Sequence, residues 1–355
     1  MPERAPGAEI ARVAAGLRTA LEAARSPWAG APLEALADKG LAHHHLRLVG
    51  SGWLARVPKQ SQMGLAAAAN LAYEAACFER ASASGHAPRV HARLAPQPGL
   101  DRGALLVDEV TGRPARLPED LDAIAGALAA IHALHLPAPD GRPPLLDPAD
   151  PLQALRAEIE IQARHLPAAA LDPAVGAVIA RERERLRALC EAAPRPPRRL
   201  IAFDAHPGNF LIRPDGRAML VDLEKARYGH PPLDLAHATL YTSTTWDLES
   251  RAELRPGEVA RAYTSWEARA GSGQRRWYLP LRAAMWLWSL TWCAKWRALS
   301  PRAARADAQG EDWSQGLHED ALVAHVRDRV DCYLSAPVVD AVCAEFAELQ
   351  SLFGA

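Results

Sequence analysis

Three side chains close together in the sequence have the types and spacing to act on one reaction. Residues 200–212 read Leu-Ile-Ala-Phe-Asp-Ala-His-Pro-Gly-Asn-Phe-Leu-Ile, and residues 219–224 read Met-Leu-Val-Asp-Leu-Glu. An apolar run carries Asp204 into a Pro-Gly turn, Asn209 closes the turn, and a second apolar run delivers Asp222. Apolar runs of this length bounded by turn residues read as short buried strands. Arg213-Pro214-Asp215-Gly216-Arg217 between them is a hairpin turn by composition, because Asp-Gly supplies the backbone angles of a tight reversal. Asp204, Asn209 and Asp222 are therefore expected at neighbouring ends of one hairpin, facing the same way. Such a set suits phosphoryl transfer, which needs a carboxylate to orient an attacking hydroxyl and oxygen ligands to hold Mg²⁺ across nucleotide phosphates.

The stretch resembles the catalytic and metal-binding segments of the aminoglycoside phosphotransferase/choline kinase superfamily, a branch of the protein-kinase-like fold. The superfamily pattern is His-x-Asp-x-x-x-x-Asn, then Asp-x-Glu, then Asp-Leu-Ala. Here these segments are Ala202-Phe203-Asp204 through Asn209, Asp222-Leu223-Glu224, and Asp234-Leu235-Ala236. The resemblance implies that Asp204 is the catalytic base, that Asn209 and Asp222 hold Mg²⁺, and that Asp234 caps a helix and braces the catalytic loop. Ala202 departs from the pattern, taking the place of a His that is chiefly a packing residue.

The resemblance also implies an α+β, bilobal architecture. A small antiparallel sheet with one main helix forms the N-lobe, residues 1–112. A larger, mostly helical C-lobe, residues 113–355, carries the catalytic hairpin. Expected elements fit that order. Apolar residues at Ile10, Val13, Leu17 and Leu21 have helical spacing. Residues 33–57 read as three antiparallel strands separated by Gly turns, and 65–81 as a helix. Residues 89–94 and 104–110 read as two more strands, and 120–134, 152–165 and 174–193 as helices.

Within the N-lobe, Lys39-Gly40-Leu41 falls where the superfamily keeps its nucleotide-covering loop, so Gly40 is a nucleotide contact by position. Arg56, in Leu54-Ala55-Arg56, is the residue expected to meet the α- and β-phosphates, with Lys59 beyond Pro58 the second candidate, and Glu74 is expected to pair with Arg56. The backbone of Val107-Asp108-Glu109-Val110 would hold the adenine edge, which assigns Asp108 and Val110 to the nucleotide. His43, His44 and His45 read as ordinary strand residues, and His132 as a hydrogen-bonding residue beneath the catalytic turn.

On the acceptor side, Met285, Trp288, Trp292 and Trp296 recur at helical spacing. That stripe reads first as a core face, with Trp288 and Trp292 also candidates for an aromatic wall against a substrate cation. Glu224, with Asp247 or Glu249, would add negative charge for an amine. The expected activity is an ATP- and Mg²⁺-dependent kinase whose favoured acceptor is a choline-like amino alcohol. Aminoglycosides and other hydroxylated metabolites are the alternative acceptors. A non-catalytic nucleotide-binding protein that keeps the fold is the competing class, motivated by Ala202 and by the weak glycine loop.

Composition removes other classes. The 355 residues are 49% hydrophobic and 23% charged with a net charge of −1, so no global field favours nucleic acid or an anionic membrane. The five cysteines have no paired spacing. That argues against a disulfide framework or zinc site and, with an acidic N-terminus lacking a long apolar core, sets a cytoplasmic expectation. The most apolar segment, 283–294, is shorter than the ~20 residues that span a bilayer.

Overall fold

A computed structural model describes residues 6–36, 42–192, 194–271, 273–300 and 320–354. Gly40 and its loop lie outside the described residues. The chain forms two compact units, passing from the first to the second between Val110 and Thr111, with Ala83–Ala87 also belonging to the second and, late in the chain, residues 320–324 to the first.

The first unit is built on a five-stranded antiparallel sheet. Helix α1 (Pro6–Ala23) precedes β1 (Leu33–Ala35), β2 (His43–Leu48) and β3 (Trp53–Pro58); α2 (Ala67–Ala81), β4 (Val90–Leu94) and β5 (Ala104–Asp108) follow, in the sheet order β1-β2-β3-β5-β4. Alternation along β3 divides its side chains between the faces. Ala55 and Val57 join Val13, Leu17 and Leu21 of α1, with Leu46, Leu48 and Leu106, in a buried apolar cluster. Arg56 points the other way, its guanidinium 5.1 Å from the centre of the Phe78 ring on α2. The helix expected from Ile10, Val13, Leu17 and Leu21 thus forms, and its apolar stripe covers one face of the sheet.

The second unit is mostly helical. Strand β6 (Arg113–Pro114) leads to α3 (Leu121–His132), α4 (Pro151–Ala163) and α5 (Pro173–Glu191). Asp150 caps α4 by accepting the N–H groups of Leu152 and Gln153, and Asp172 caps α5 by accepting that of Ala174. Two small sheets come next, made from β7 (Arg199–Ile201), β8 (Phe210–Ile212), β9 (Ala218–Leu220) and β10 (Arg227–Gly229). Strands β6, β8 and β9 form one antiparallel ribbon and β7 pairs with β10 in the other. The chain closes with α6 (Pro232–Thr239), α7 (Tyr241–Thr244), α8 (Pro256–Ala270), α9 (Tyr278–Leu299), α10 (Asp320–Tyr333) and α11 (Ala336–Phe353).

The tryptophan stripe on α9 divides differently from the expected core face. Met285, Trp286 and Trp296 are buried, whereas Trp288 and Trp292 are only half-buried. Trp286, one residue off the expected stripe, is the core tryptophan and packs edge-on against Phe346 of α11, 5.3 Å between ring centres. The arrival of α11 on that side of α9 decides the outcome, and nothing local to the sequence of α9 reports it. Among the described residues no helix is long and apolar enough to cross a membrane.

Candidate active site

The β8–β9 hairpin places two of the three expected groups side by side. Phe210 faces Leu220, Leu211 faces Met219 and Ile212 faces Ala218. Beyond the ladder, the Val221 N–H donates to the Asn209 carbonyl at 2.9 Å. Asp222 therefore leaves the hairpin one residue past the partner of Asn209. A single 3₁₀ turn, Pro207–Asn209, links Asp204 to β8, closed by the Asn209 N–H on the His206 carbonyl at 2.9 Å.

The donor set fits a hard cation. Asn209 Nδ2 donates to the backbone carbonyl of Asp204 at 2.8 Å, which fixes the amide and leaves Oδ1, an oxygen donor, for a ligand. Asp222 adds a half-buried carboxylate. Amide and carboxylate oxygens are the ligands Mg²⁺ takes.

Asp204 lies among positive and titratable groups. Its Oδ2 accepts from Lys225 Nζ at 2.8 Å, and its Oδ1 faces His237 Nδ1 at 3.7 Å. Burial by itself would favour the neutral acid, but the Lys225 charge, with His237 and His206, more than offsets it, so the carboxyl is held well below the usual range. Burial drives His237 down to about 4. At neutral pH that imidazole is uncharged, and Lys225 supplies the counter-charge.

The pH consequence has a definite sign. A carboxyl with a lowered folded value contributes stability that is complete above its unfolded value of about 3.9 and fades as the pH falls through the folded value. The stability difference between wild type and Asp204→Asn is expected to be constant from pH 5 to 8 and to shrink below about 4. Chemical denaturation at several pH values measures it; a difference that shrinks instead above pH 5 contradicts the assigned shift.

Asp234 braces the loop from beneath. With no exposed surface, its carboxylate accepts the N–H groups of Ala202 at 2.7 Å and Phe203 at 2.8 Å, and His132 Nε2 at 3.0 Å. The Trp266 indole N–H donates to His132 Nδ1 at 3.0 Å, so Nε2 carries the proton given to Asp234. The expected brace is present, and His132 serves as read from the sequence. The expected helix cap is not formed: Asp234 sits inside the first turn of α6 and spends its carboxylate on the loop. Ala202, fully buried, offers its backbone to Asp234.

Phe203 takes a left-handed backbone, φ 62°, immediately before Asp204. An aromatic residue holds such a conformation only where its surroundings enforce it. The Arg227 guanidinium lies 3.7 Å from the centre of the Phe203 ring, Arg227 Nη1 donates to Glu158 at 2.5 Å, and Trp288 meets Phe203 edge-on at 5.4 Å. The Trp288 indole N–H reaches Glu158 Oε2 at 3.3 Å. Trp288 is thus a prop of the loop that carries Asp204 as well as a candidate wall.

Gly208 allows close approach of a neighbouring segment. A Cβ on it would lie 2.8 Å from Asp247 Cβ and 2.9 Å from His206 Cε1. Asp247 is itself fixed, its Oδ1 accepting the N–H groups of Glu249 and Ser250 at 2.8 and 3.0 Å. Gly208→Ala is expected to lower stability by about 1–3 kcal/mol, the usual cost of overpacking, and to lower turnover with it. A thermal melt with parallel rates checks this, and an unchanged melt would show that Asp247 yields freely. Trp292, half-buried, packs edge-on with Trp246 at 5.8 Å. Glu224 is buried.

The first unit holds a second polar cluster. Glu74, 2% exposed on α2, accepts from Asn70 Nδ2 at 2.6 Å and meets His43 Nε2 at 2.9 Å. Arg56 Nη2 lies 3.4 Å from His43 Nδ1, and Nη1 lies 3.3 Å from His45 Nε2. The direct Glu74–Arg56 pair expected from the sequence is therefore relayed by His43, because β2 inserts an imidazole where the two charges would otherwise meet. Since arginine only donates, His43 Nδ1 and His45 Nε2 both act as acceptors here. Burial, then the Arg56 charge, lowers the His45 pKa well below its ordinary value, consistent with a neutral ring. His43→Ala is expected to raise the KM for a nucleotide substrate several-fold while changing kcat less. Initial rates across nucleotide concentrations test this, and an unchanged KM refutes the relay.

At the end of β5, Asp108 spends its N–H on the Arg89 carbonyl at 3.0 Å and its carboxylate on His91 at 2.7 Å and the Arg89 N–H at 2.9 Å. Half-buried Val110 is the last residue of the first unit's sheet segment. Lys225, Arg227, Glu158, His237 and the mediating role of His43 escaped the sequence reading. Lys225 and Arg227 stand directly after Asp222-Leu223-Glu224, so their position was the available signal.

The family model for APH, described as the phosphotransferase enzyme family, matches residues 42–278. The chain belongs to this family. Its fold is the protein-kinase-like fold of aminoglycoside phosphotransferases and choline kinases. A choline/ethanolamine kinase family protein from Mesorhizobium loti aligns over 96% of this chain and 99% of its own at 18% identity, TM-score 0.57. An aminoglycoside phosphotransferase-like protein from Ralstonia eutropha aligns over 90% and 98% at 16% identity, TM-score 0.57. A thermostable mutant of aminoglycoside phosphotransferase APH(4)-Ia, solved with ADP and hygromycin B, aligns over 85% and 93% at 18% identity, TM-score 0.52. At these identities the likeness is one of fold. The curated proteins compared gave no match.

Proposed function

We propose that this phosphotransferase-family chain is an ATP- and Mg²⁺-dependent kinase that phosphorylates a hydroxyl of a small molecule. Residues 1–112 serve as the nucleotide lobe and 113–355 as the catalytic and acceptor lobe. The observation that carries the reading is the placement of Asp204, with Oδ2 engaged by Lys225 and Oδ1 outside hydrogen-bond distance of His237; the Lys225 charge favours the ionised carboxylate. That oxygen can take the hydrogen bond of an acceptor hydroxyl and receive its proton. Asn209 and Asp222 would hold Mg²⁺, and Arg56, positioned through His43 and Glu74, would neutralise phosphate charge. When bound, Mg²⁺ offsets charge on the β- and γ-phosphate oxygens. The Gly40 loop and the backbone around Asp108 and Val110 are the proposed nucleotide contacts, although the Asp108 N–H and carboxylate are already spent on Arg89 and His91. The ADP seen in the APH(4)-Ia complex supports a nucleotide site of this kind.

The favoured acceptor is a choline-like amino alcohol. Trp288 and Trp292 keep part of their surface exposed, and Asp247 lies against the catalytic turn. Indole faces and a carboxylate beside a hydroxyl-orienting base suit a cationic alcohol. Glu224, buried after Asp222, adds a further negative charge. The test is ADP release with ATP and Mg²⁺ against a panel of amino alcohols, aminoglycosides and sugars. Amino alcohols are expected to give the highest kcat/KM. Preference for an aminoglycoside would move the acceptor assignment, and no release above the blank with any acceptor would overturn the kinase reading.

A further inference from the structure

The two oxygens of Asp204 are in different situations, and one lysine makes the difference. Lys225 Nζ donates to Oδ2 at 2.8 Å, with the two side chains 16% and 21% exposed, so the pair is largely shielded from water. Oδ1 stands 3.7 Å from His237 Nδ1, too far for a hydrogen bond. We propose that Lys225 is a positioning residue for phosphoryl transfer: it pins Asp204 through Oδ2 and so presents Oδ1 to the acceptor hydroxyl. The proposal rests on the kinase reading of the site and adds to it a residue outside the superfamily's Asp, Asn and Asp-x-Glu set.

Two observations and one chemical argument support it. Only four of the chain's 41 basic residues are lysines, at 39, 59, 225 and 295, and one of those four meets the catalytic carboxylate. The chemistry explains why lysine suits the place. An ammonium is a point charge that can engage one carboxylate oxygen, whereas a guanidinium fork tends to take both and would leave none for a substrate. The segment bearing Lys225 is also anchored to the same loop. Arg227, two residues on, stacks on Phe203 and bonds Glu158 of α4, while the Ala226 N–H closes a turn on the Leu223 carbonyl at 2.9 Å. Lys225 and Arg227 thus grip the loop at Asp204 and at Phe203.

In the transfer itself the acceptor oxygen forms a bond to the γ-phosphorus as the bond from that phosphorus to the bridging oxygen of ADP breaks. The hydroxyl proton passes to Asp204 Oδ1. Lys225 forms and breaks no covalent bond and keeps its proton throughout.

The test compares Lys225→Met and Lys225→Arg in the full chain, with ATP, Mg²⁺ and the best acceptor from the panel. Lys225→Met is expected to lose about 10²-fold in kcat, the scale of removing one preorganised charged group, with the KM for ATP and the ATP–Mg²⁺ thermal shift little changed. Lys225→Arg keeps the charge but covers both oxygens, so it is expected to recover only a small part of that loss. A full recovery by arginine would show that charge alone matters and would overturn the one-oxygen assignment. A methionine variant as active as wild type would overturn the proposal while leaving the kinase reading intact. A wild type that turns over no acceptor overturns both. Should Lys225→Met fail to fold, reductive methylation mapped by peptide mass gives a second measure. Lys225 is expected to react several-fold faster in Asp204→Asn than in wild type, and equal rates would overturn the pairing in solution.

Discussion

Asp204→Asn is expected to abolish phosphoryl transfer, with kcat reduced by at least about 10³-fold, while nucleotide binding stays close to normal. The substitution keeps the size of the side chain and removes its charge. An asparagine oxygen can still orient a hydroxyl but cannot take its proton, and general-base catalysis of this kind contributes about 10²–10⁴-fold. Loss of the carboxylate also removes the charged acceptor that meets Lys225 Nζ at 2.8 Å, so the ammonium meets an amide in its place. The proposed nucleotide contacts lie elsewhere: Arg56 is set by His43 and His45, and Asn209 is fixed by the backbone carbonyl of residue 204, which the substitution does not touch. The expected pattern is therefore a lost kcat with an intact ATP–Mg²⁺ thermal shift. Turnover within tenfold of wild type would remove Asp204 from the chemistry, and loss of the thermal shift would mean that the residue helps to bind nucleotide.

Local signals read correctly where the physics is local. The hairpin of β8 and β9 was legible because two apolar runs and an Asp-Gly turn leave few other solutions, and the placement of Asn209 beside Asp222 follows from its register. The strands of the first unit were legible from short runs bounded by Gly-containing turns, and α1 from helical spacing. What could not be read depends on which distant element arrives where. His43 stands between Glu74 and Arg56 because β2 pairs with β3 in one register, His43 opposite Pro58, and a shift of one residue would have turned the imidazole to the other face. Trp286 is buried and Trp288 half-exposed because α11 covers one side of α9. Lys225, directly after Asp-Leu-Glu, drew no reading from the sequence. Its partner is 21 residues earlier, and only the fold brings the two together.

The brace beneath the loop carries the largest expected effect on folding. Asp234→Ala removes the acceptor for the N–H groups of Ala202 and Phe203 and for His132 Nε2, all at a position with no exposed surface. Each buried donor left without a partner costs about 1–3 kcal/mol, so even with relaxation a loss of about 3–5 kcal/mol follows. In a unit of this size that corresponds to a fall in Tm of about 6–20 °C. The effect reaches the chemistry through Phe203. Its left-handed backbone stays in place because Asp234 holds its N–H from below and Arg227 its ring from the side. With one hold gone, the residue can relax toward an ordinary conformation, and Asp204, next in the chain, turns with it. Asp234→Asn keeps one carbonyl acceptor and should lose roughly half as much stability. Thermal melts of both variants, with rates measured at a temperature where each remains folded, separate the two consequences. The alanine variant is expected to lose activity beyond its loss of folded protein. A Tm within 2 °C of wild type, or full specific activity in the folded fraction, would show that the loop keeps its shape without the carboxylate.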